Sequence, residues 1–257
     1  MGMDISQTFD AVVLAGGDGT PVGTGQPIKG LVEVCGKPMV QWVVEALQKA
    51  TSIHRIVVVI PAQASRGSWA TDVTVIDSVG DILDNCEAGL DAVDGKRPVM
   101  WLSADIPALT PEAVDDYASQ VLVRGVEASY ALILATDIDE QFPGSVRTYI
   151  KLKEGRLTGG NIVSCTVELE HRLKVQARQL LNARKEPMKM ARVVGPAIAA
   201  KFALGALTVP DVEERLLKVF DVHGAGIFTS HACIGADVDK PVDKEVIERA
   251  LQADQAV

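Results

Sequence analysis

The 257-residue sequence has few aromatic side chains, few cysteines and no long apolar run. Aromatic residues make up 4%, so the stacking surfaces that bind single-stranded nucleic acid are not expected. The absence of any run of about 18 apolar residues excludes a transmembrane helix, and the start MGMDISQTFD lacks the basic and apolar regions of a signal peptide. The four cysteines lie far apart, which excludes a CxxC motif and favours reduced thiols in a cytoplasmic protein: Cys35, Cys86, Cys165 and Cys233.

The charge balance limits the partners that this chain is expected to bind. There are 25 basic and 34 acidic residues, a net charge of −9, which argues against binding to nucleic acid or to an anionic membrane. Hydrophobic residues make up 47%, as is ordinary for a folded protein. Because no repeat or linker is evident, we predict a single domain over 1–257 with a mainly helical insertion at about 168–225.

Several catalytic and nucleotide-binding motifs are missing. Neither Gly-Lys pair, at Gly36 and Gly95, is followed by Ser or Thr, so there is no P-loop. The glycines after the first apolar run do not match the dinucleotide-binding spacing, and no acidic residue follows the second run. No GxSxG or HExxH motif occurs, so the four histidines are interpreted as structural: His54, His171, His223 and His231.

Short apolar runs alternate with amphipathic segments through the first half of the chain. The runs predict buried strands at 9–14, 56–60, 99–102 and 129–134. The amphipathic pattern predicts helices at 38–50, from about Leu83 to Val93, and after the cap Thr110-Pro111. This alternation predicts an α/β fold with a mostly parallel sheet covered by helices on both faces, in which ligands bind at the carboxyl ends of the strands.

The pattern changes beyond residue 144. Strands are predicted at 147–152 and 162–167 around a turn at 154–161, with sequence EGRLTGGN. From 168 to about 219 the pattern is mostly helical, and 168–192 carries seven basic residues against three acids. A last helix is predicted at 243–253.

A glycine-rich loop, LAGGDGTPVGTGQPIKG, follows the first predicted strand directly. Glycines allow backbone N–H groups to turn toward a ligand, and such amide nests bind phosphate. Lys29 and Lys37 follow within about 20 residues and are candidates to neutralise a triphosphate. A mobile turn with solvated lysines is the alternative.

Three aspartates are placed where a metal ion is expected. Asp105 ends the run VMWLSAD at the carboxyl end of a predicted buried strand, where a carboxylate needs water, a partner or a cation. Mg²⁺ binds to one or two carboxylates together with substrate phosphates. Asp237 and Asp239 precede the last helix, and either is a candidate second ligand, although for Asp239 a solvated loop acid is the favoured role. The alternative for Asp105 is a carboxylate near the N-terminus of the helix after Thr110.

Five motifs occur in order along the chain: LAGGxG at 14–19, Lys29 with Leu31, GKPM at 36–39, ADIP at 104–107 and DVDKP at 237–241. Taken together, they resemble the nucleotidyltransferase superfamily with the GT-A-like fold, and in particular the molybdenum-cofactor guanylyltransferase-like NTP transferases. The resemblance covers the first 135 residues and the last 25. It implies a three-layer, Rossmann-like, mostly parallel sheet, and transfer of a nucleoside monophosphate from an NTP to a phosphorylated small-molecule acceptor with release of pyrophosphate.

The resemblance also implies roles for individual residues. The catalytic residues would be Lys29 and Asp105, with Mg²⁺ on Asp105 and Asp237. The residues that bind the nucleotide would be Leu14, Ala15, Gly16, Gly17, Gly19, Lys29, Asn85 and Asp105. Gly160 and Asn161 resemble a turn that meets the acceptor in some relatives. From the placement of positive charge we add Arg184 and Lys185 as acceptor-binding candidates.

One departure from the family pattern raises a second hypothesis. Pro21 stands where the family loop usually has an arginine against the triphosphate. Lys37 or the basic run around Arg184 and Lys185 is a candidate replacement. The alternative function is a non-catalytic nucleotide-binding regulatory protein that keeps the fold. A NAD-dependent dehydrogenase is disfavoured because the acid after the second strand is missing.

Overall fold

A computed structural model describes residues 8–173 and 195–254. The strands are β1 (Phe9–Leu14), β2 (Glu33–Val34), β3 (Lys37–Pro38), β4 (Ile53–Ile60), β5 (Thr74–Asp77), β6 (Val99–Ser103), β7 (Ala128–Leu134), β8 (Ile150–Leu152), β9 (Gly155–Cys165) and β10 (Gly224–Phe228). The helices are α1 (Met39–Lys49), α2 (Ile82–Asp91), α3 (Pro111–Arg124), α4 (Ala135–Gln141), α5 (Pro196–Ala203), α6 (Val209–Phe220) and α7 (Pro241–Asp254), and residues 167–173 are also helical.

The central sheet has the order β10-β7-β9-β6-β1-β4-β5, with β8 added to β9. β1 runs parallel to both β4 and β6, β4 is parallel to β5, and β10 is parallel to β7. β9 is antiparallel to β6, β7 and β8. The predicted α/β class with a mostly parallel sheet is therefore confirmed.

Alternate side chains along the strands supply the cores on the two faces of the sheet. Val12, Val57 and Trp101 pack with Leu90 of α2 on one face. Ala11, Val13 and their neighbours on β4 and β6 pack with α1, α3 and α7 on the other. Strands that are buried on both sides read as continuous apolar runs, which is why the sequence identified them.

Local capping explains where the predicted helices begin. The Thr110 hydroxyl accepts a hydrogen bond from the Ala113 amide (3.2 Å), and Pro111 opens α3. α2 begins after Asp81, whose carboxylate accepts from the Leu83 amide at 2.9 Å. The helices predicted over 38–50 and 243–253 are observed as α1 and α7, and Val93 lies beyond the end of α2.

The predicted turn at 154–161 is wrong. The chain turns at 153–154, and β9 continues through Gly159, Gly160 and Asn161, with an irregularity there in its pairing with β7. The glycines serve close packing: a Cβ at Gly159 would overlap the Tyr130 ring, and one at Gly160 would lie 2.7 Å from a methyl group of Ile234. A glycine pair in a polar stretch is typical of a turn, so the sequence alone favoured the wrong interpretation.

α5 and α6 separate β9 from β10 along the chain, and β10 returns to the sheet beside β7. This order is that expected for an insertion at about 168–225, but the single domain and its insertion stay a prediction, since 174–194 lie outside the described residues. None of the helices within the described ranges combines the length and hydropathy needed to cross a bilayer.

Candidate functional site

The glycine-rich loop leaves the carboxyl end of β1 and folds back on itself. The Ala15 amide donates to the Val59 carbonyl (2.8 Å), which keeps the start of the loop on the sheet. The Lys29 amide donates to the Gly17 carbonyl at 2.7 Å. Gly30 packs so closely that a Cβ there would lie 2.8 Å from the Ala15 carbonyl oxygen. These contacts place the Lys29 side chain beside the first glycines of the loop.

A cavity of about 350 Å³ lies between this loop, α2 and the end of β6. Most of the residues that the sequence assigned to the nucleotide line it together: Leu14, Ala15, Gly16, Gly17, Lys29, Asn85 and Asp105. Gly19 is not part of this lining, because its amide donates to the Pro27 carbonyl (2.9 Å) and so closes the loop. Roles in nucleotide binding stay predictions for all of these residues.

Asn85 shapes the wall of the cavity opposite the glycine loop. Its side-chain oxygen accepts a hydrogen bond from the Val79 amide (2.6 Å) and so fixes the segment that precedes α2. Gly80 and Asp81 of this segment and Ile82 of α2 also line the cavity. Asn85 therefore holds the wall in place through its hydrogen bond with Val79, and its contact with a nucleotide stays a prediction.

Three aspartates converge at the mouth of this cavity. One carboxylate oxygen each from Asp105, Asp237 and Asp239 lies within 4.8 Å of the others. The Val238 amide donates to the Asp105 carbonyl (2.9 Å), which joins the segment before α7 to the end of β6. The Val238 side chain is fully buried, and the residues on either side of it, Asp237 and Asp239, contribute their carboxylates to the cluster. The structure thus brings Asp239 into the group, although the sequence favoured a solvated role.

Lys29 bridges two of these aspartates. Its ammonium group donates to Asp105 and to Asp239, and the Ser103 hydroxyl also donates to Asp105. Burial lowers the pKa of Lys29, but the attraction of Asp105 and Asp239 outweighs that effect and raises the pKa above its ordinary value. Lys29 is therefore a firmly charged cation that is shared between acidic groups.

Arg147 is the site residue that the sequence analysis missed. Its guanidinium donates to the Asp237 carboxylate and, at 2.6 Å, to the Asp237 carbonyl oxygen. Only 8% of its side chain is exposed. Burial lowers the pKa of Arg147, and Asp243, Asp239 and Asp105 oppose the shift. The only signal was an arginine at the first position of the strand predicted over 147–152, which is indistinguishable from a surface charge without the fold.

β9 brings one predicted acceptor residue to the aspartates. The Asn161 amide lies 3.4 Å from the Asp237 carboxylate and 3.5 Å from the Ile234 carbonyl oxygen. Gly160 precedes it within the strand, and its lack of a side chain has a packing explanation. Arg184 and Lys185 lie outside the described residues.

The structure shows different surroundings for the residues considered as replacements for the missing loop arginine. Pro21 is exposed in a short 3₁₀ turn, Thr20–Val22. The Lys37 ammonium binds Glu45 (2.7 Å) and lies 3.7 Å from the centre of the Trp42 ring, so it is already engaged away from the loop. Arg147 is the guanidinium that the described residues bring to the aspartates.

The donor set fits a hard divalent cation. Carboxylate oxygens on two chain segments, beside glycines and a lysine suited to phosphate, are the ligands with which Mg²⁺ is bound together with a substrate's phosphates. The fold and the site therefore define an α/β protein with a mostly parallel sheet and a candidate site at the carboxyl ends of its strands.

Comparison with known proteins identifies the family. Residues 11–201 match the model of the MobA-like NTP transferase domain, and the chain belongs to that family. It is 34% identical over 116 residues to 2-C-methyl-D-erythritol 4-phosphate cytidylyltransferase from Frankia casuarinae, a match that covers 44% of this chain and 43% of that protein. The resemblance deduced from the sequence is thereby confirmed.

Solved structures share the fold over most of this chain. A hypothetical transferase from Thermus thermophilus is 32% identical, has a TM-score of 0.79, and the match covers 92% of this chain and 99% of that one. A CMP:2-keto-3-deoxy-manno-octonic acid synthetase in complex with CTP is 14% identical with a TM-score of 0.62, over 96% of this chain and 99% of that one. At that identity the second likeness concerns the fold alone.

Proposed function

We propose that this protein is a nucleotidyltransferase that moves a nucleoside monophosphate from an NTP to a phosphorylated small-molecule acceptor and releases pyrophosphate. The observation that carries the proposal is the convergence of Lys29 and the three aspartates beside the glycine loop. Membership of the MobA-like NTP transferase family supports the same reaction class.

The glycine loop and Lys29 bind the triphosphate. Gly16 and Gly17 present backbone to the cavity without side chains in the way, and the Lys29 ammonium is close enough to exchange a carboxylate for a phosphate oxygen. The reaction is an in-line attack of an acceptor oxygen on the α-phosphorus, for which the protein supplies position and positive charge.

Asp105 would hold Mg²⁺ with Asp237 or Asp239. When bound, the ion would withdraw negative charge from the phosphates and from the pyrophosphate leaving group. Lys29 and Arg147 hold the carboxylates in place and neutralise them when no other cation is there. Without such compensation, three close carboxylates would repel both one another and the substrate.

Arg147 adds a guanidinium to the site, at the aspartates and not at the loop position that Pro21 occupies. It reaches the cluster from the segment before β8, on the side of Asp237 and Asn161. We place the acceptor's phosphate on this side, with Asn161 as a hydrogen-bond donor. Arg184 and Lys185 lie outside the described residues and remain candidate contacts of the acceptor.

The test is pyrophosphate release from each of the four common NTPs, with and without Mg²⁺, against a panel of phosphorylated acceptors. NTP binding is measured separately by calorimetry. The proposal requires metal-dependent release with one NTP and an acceptor. Tight NTP binding without release from any pair would instead favour the non-catalytic regulatory protein.

A further inference from the structure

A second cavity, of about 510 Å³, adjoins the first. It lies on the α2 face of the sheet, between α2, strands β6 and β9, and the helical residues 167–173. Leu14, Ile82 and Ser103 line both cavities, so the two spaces meet beside Asp105. Asn161, which neighbours Asp237, also lines the second cavity.

The walls of this second cavity are mostly apolar. They are formed by Leu83, Leu90, Trp101, Val163 and Leu169, among others. A volume of this size accommodates a small organic molecule, for which pockets usually span about 300–1,000 Å³. No lysine or arginine lines it among the described residues; Lys29 lies in the first cavity and Arg147 lies beside Asp237.

Three of the polar groups that line it are paired with one another: Trp101, Cys165 and Glu170. The Trp101 indole N–H lies 3.4 Å from the Cys165 sulfur, and that thiol lies 3.1 Å from the Glu170 carboxylate. Burial raises the pKa of Glu170, as expected for a carboxyl group in apolar surroundings. A sugar carries several hydroxyl groups, and burying each without a partner is costly.

We infer that this second cavity receives the apolar body of the acceptor, and that the acceptor is a phosphate ester of an aromatic or branched aliphatic alcohol. The inference rests on the proposed function and deepens it. The acceptor's phosphate lies at the shared mouth, near Asn161 and Arg147, while its organic part extends along α2 toward Trp101. Continuity with the aspartate site is the reason to assign the cavity to the acceptor.

The first test measures the cavity without any reaction. N-phenyl-1-naphthylamine, an uncharged dye that fluoresces in apolar surroundings, is titrated into the protein with and without a saturating NTP. Val163→Trp and Cys86→Phe each fill part of the cavity, and Val123→Trp adds the same ring to an exposed position on α3, where Val123 is 84% exposed. Thermal melting confirms that each variant folds.

We expect saturable dye binding that the NTP does not displace. Val163→Trp and Cys86→Phe should each weaken the dye affinity by about tenfold or more, and Val123→Trp should leave it unchanged. Burial of two methylene groups suffices for such a factor. Absence of binding, equal binding to the filled variants, or displacement by the NTP would overturn the inference.

The second test compares acceptors. Phenethyl and 3-methylbutyl phosphate are set against ribose 5-phosphate and glycerol phosphate. We expect kcat/KM about tenfold higher for the apolar esters, with Val163→Trp raising their KM and leaving NTP affinity unchanged. Preference for the polar acceptors, unaffected by Val163→Trp, overturns the inference. If the protein binds the dye but releases no pyrophosphate with any acceptor, the proposed function is wrong, and the assignment of an apolar ligand to the cavity still holds.

Discussion

Aspartates at the two ends of the central strands differ in their hydrogen-bond partners. Asp10, at the amino end of β1, is fully buried and neither of its carboxylate oxygens has a hydrogen-bond partner. Asp105, just beyond the carboxyl end of β6, is also buried but is bonded by Lys29 and Ser103. The same side chain is thus isolated at one edge of the sheet and compensated at the other.

The difference lies in what distant segments bring to each edge. Burial raises the pKa of Asp10 and Asp94 adds to the shift, while Arg97, His54 and Arg55 oppose it without a hydrogen bond to the carboxylate. At the other edge, the glycine loop and the segments before β8 and α7 deliver two cations and two further acids. Grouped charge with its own counter-charge distinguishes the edge that holds the candidate site, whereas the lone buried carboxylate only costs stability.

The largest effect is expected at Asp105. Asp105→Ala removes the buried carboxylate of the cluster, and we expect turnover to fall by about a hundredfold or more, as is typical when transition-state charge stabilisation is lost. Pyrophosphate release at saturating NTP and Mg²⁺ measures it. Glu140→Ala, which removes an exposed acid on α4, is the matched control. A near-normal rate in Asp105→Ala would take this residue out of the metal site.

Arg147 tests whether counter-charge defines the functional edge. Arg147→Met leaves Asp237 without its main donors, so kcat should fall by roughly tenfold to a hundredfold. The free energy of unfolding should also fall, by roughly 1–3 kcal/mol. Urea unfolding and steady-state kinetics report the two effects.

Two variants calibrate the result at Arg147. Arg147→Lys keeps the charge but loses the second hydrogen bond, so it should recover part of the activity. Lys151→Met removes an exposed cation from β8 and should change neither quantity. If Arg147→Met lowers stability alone and leaves kcat and both KM values intact, the arginine is purely structural.

Replacing Asp10 should raise the free energy of unfolding, whereas replacing Arg147 should lower it. Replacing Asp10 with valine removes an unpaired buried carboxylate, and we expect the free energy of unfolding at pH 7 to rise by roughly 1–3 kcal/mol. Urea titrations at pH 7 and pH 4 measure the change. Asp10→Asn keeps a polar group of similar size without partners and should gain less.

The pH dependence follows from the raised pKa of Asp10. The folded protein retains this proton at pH values where the unfolded chain has lost it, so Asp10 lowers stability as pH rises from about 3.8 through the folded pKa. The gain from Asp10→Val should therefore be larger at pH 7 than at pH 4. A gain that is equal at both pH values would show that the carboxyl group is not the cause.

The smallest effect is expected at Pro21. Pro21→Arg adds a cation to the exposed turn of the glycine loop, and NTP affinity should be unchanged or up to about tenfold tighter. Calorimetry with and without Mg²⁺ measures it. A large loss of affinity in a folded variant would mean that the loop runs past the triphosphate differently from its relatives.

Much of the fold was predictable because its cues are local. The buried strands are continuous apolar runs, and Thr110-Pro111 marks the start of α3 with a hydroxyl cap and a fixed φ angle. The glycine loop, Lys29 and Asp105 were predictable as candidates because each follows a strand whose carboxyl end faces the ligand crevice. The family resemblance joined them with Asp237 into one pattern.

Only the tertiary structure decided how these groups are paired. The extended run of β9 through Gly159 and Gly160 depends on contacts with Tyr130 and Ile234, which no local window contains. The ion pairs of Lys29 and Arg147 with the three aspartates join residues up to 210 positions apart. Sequence fixes which charges exist and which strands they follow; the packing of the sheet determines which charges meet, because Coulombic pairing depends on distances in space.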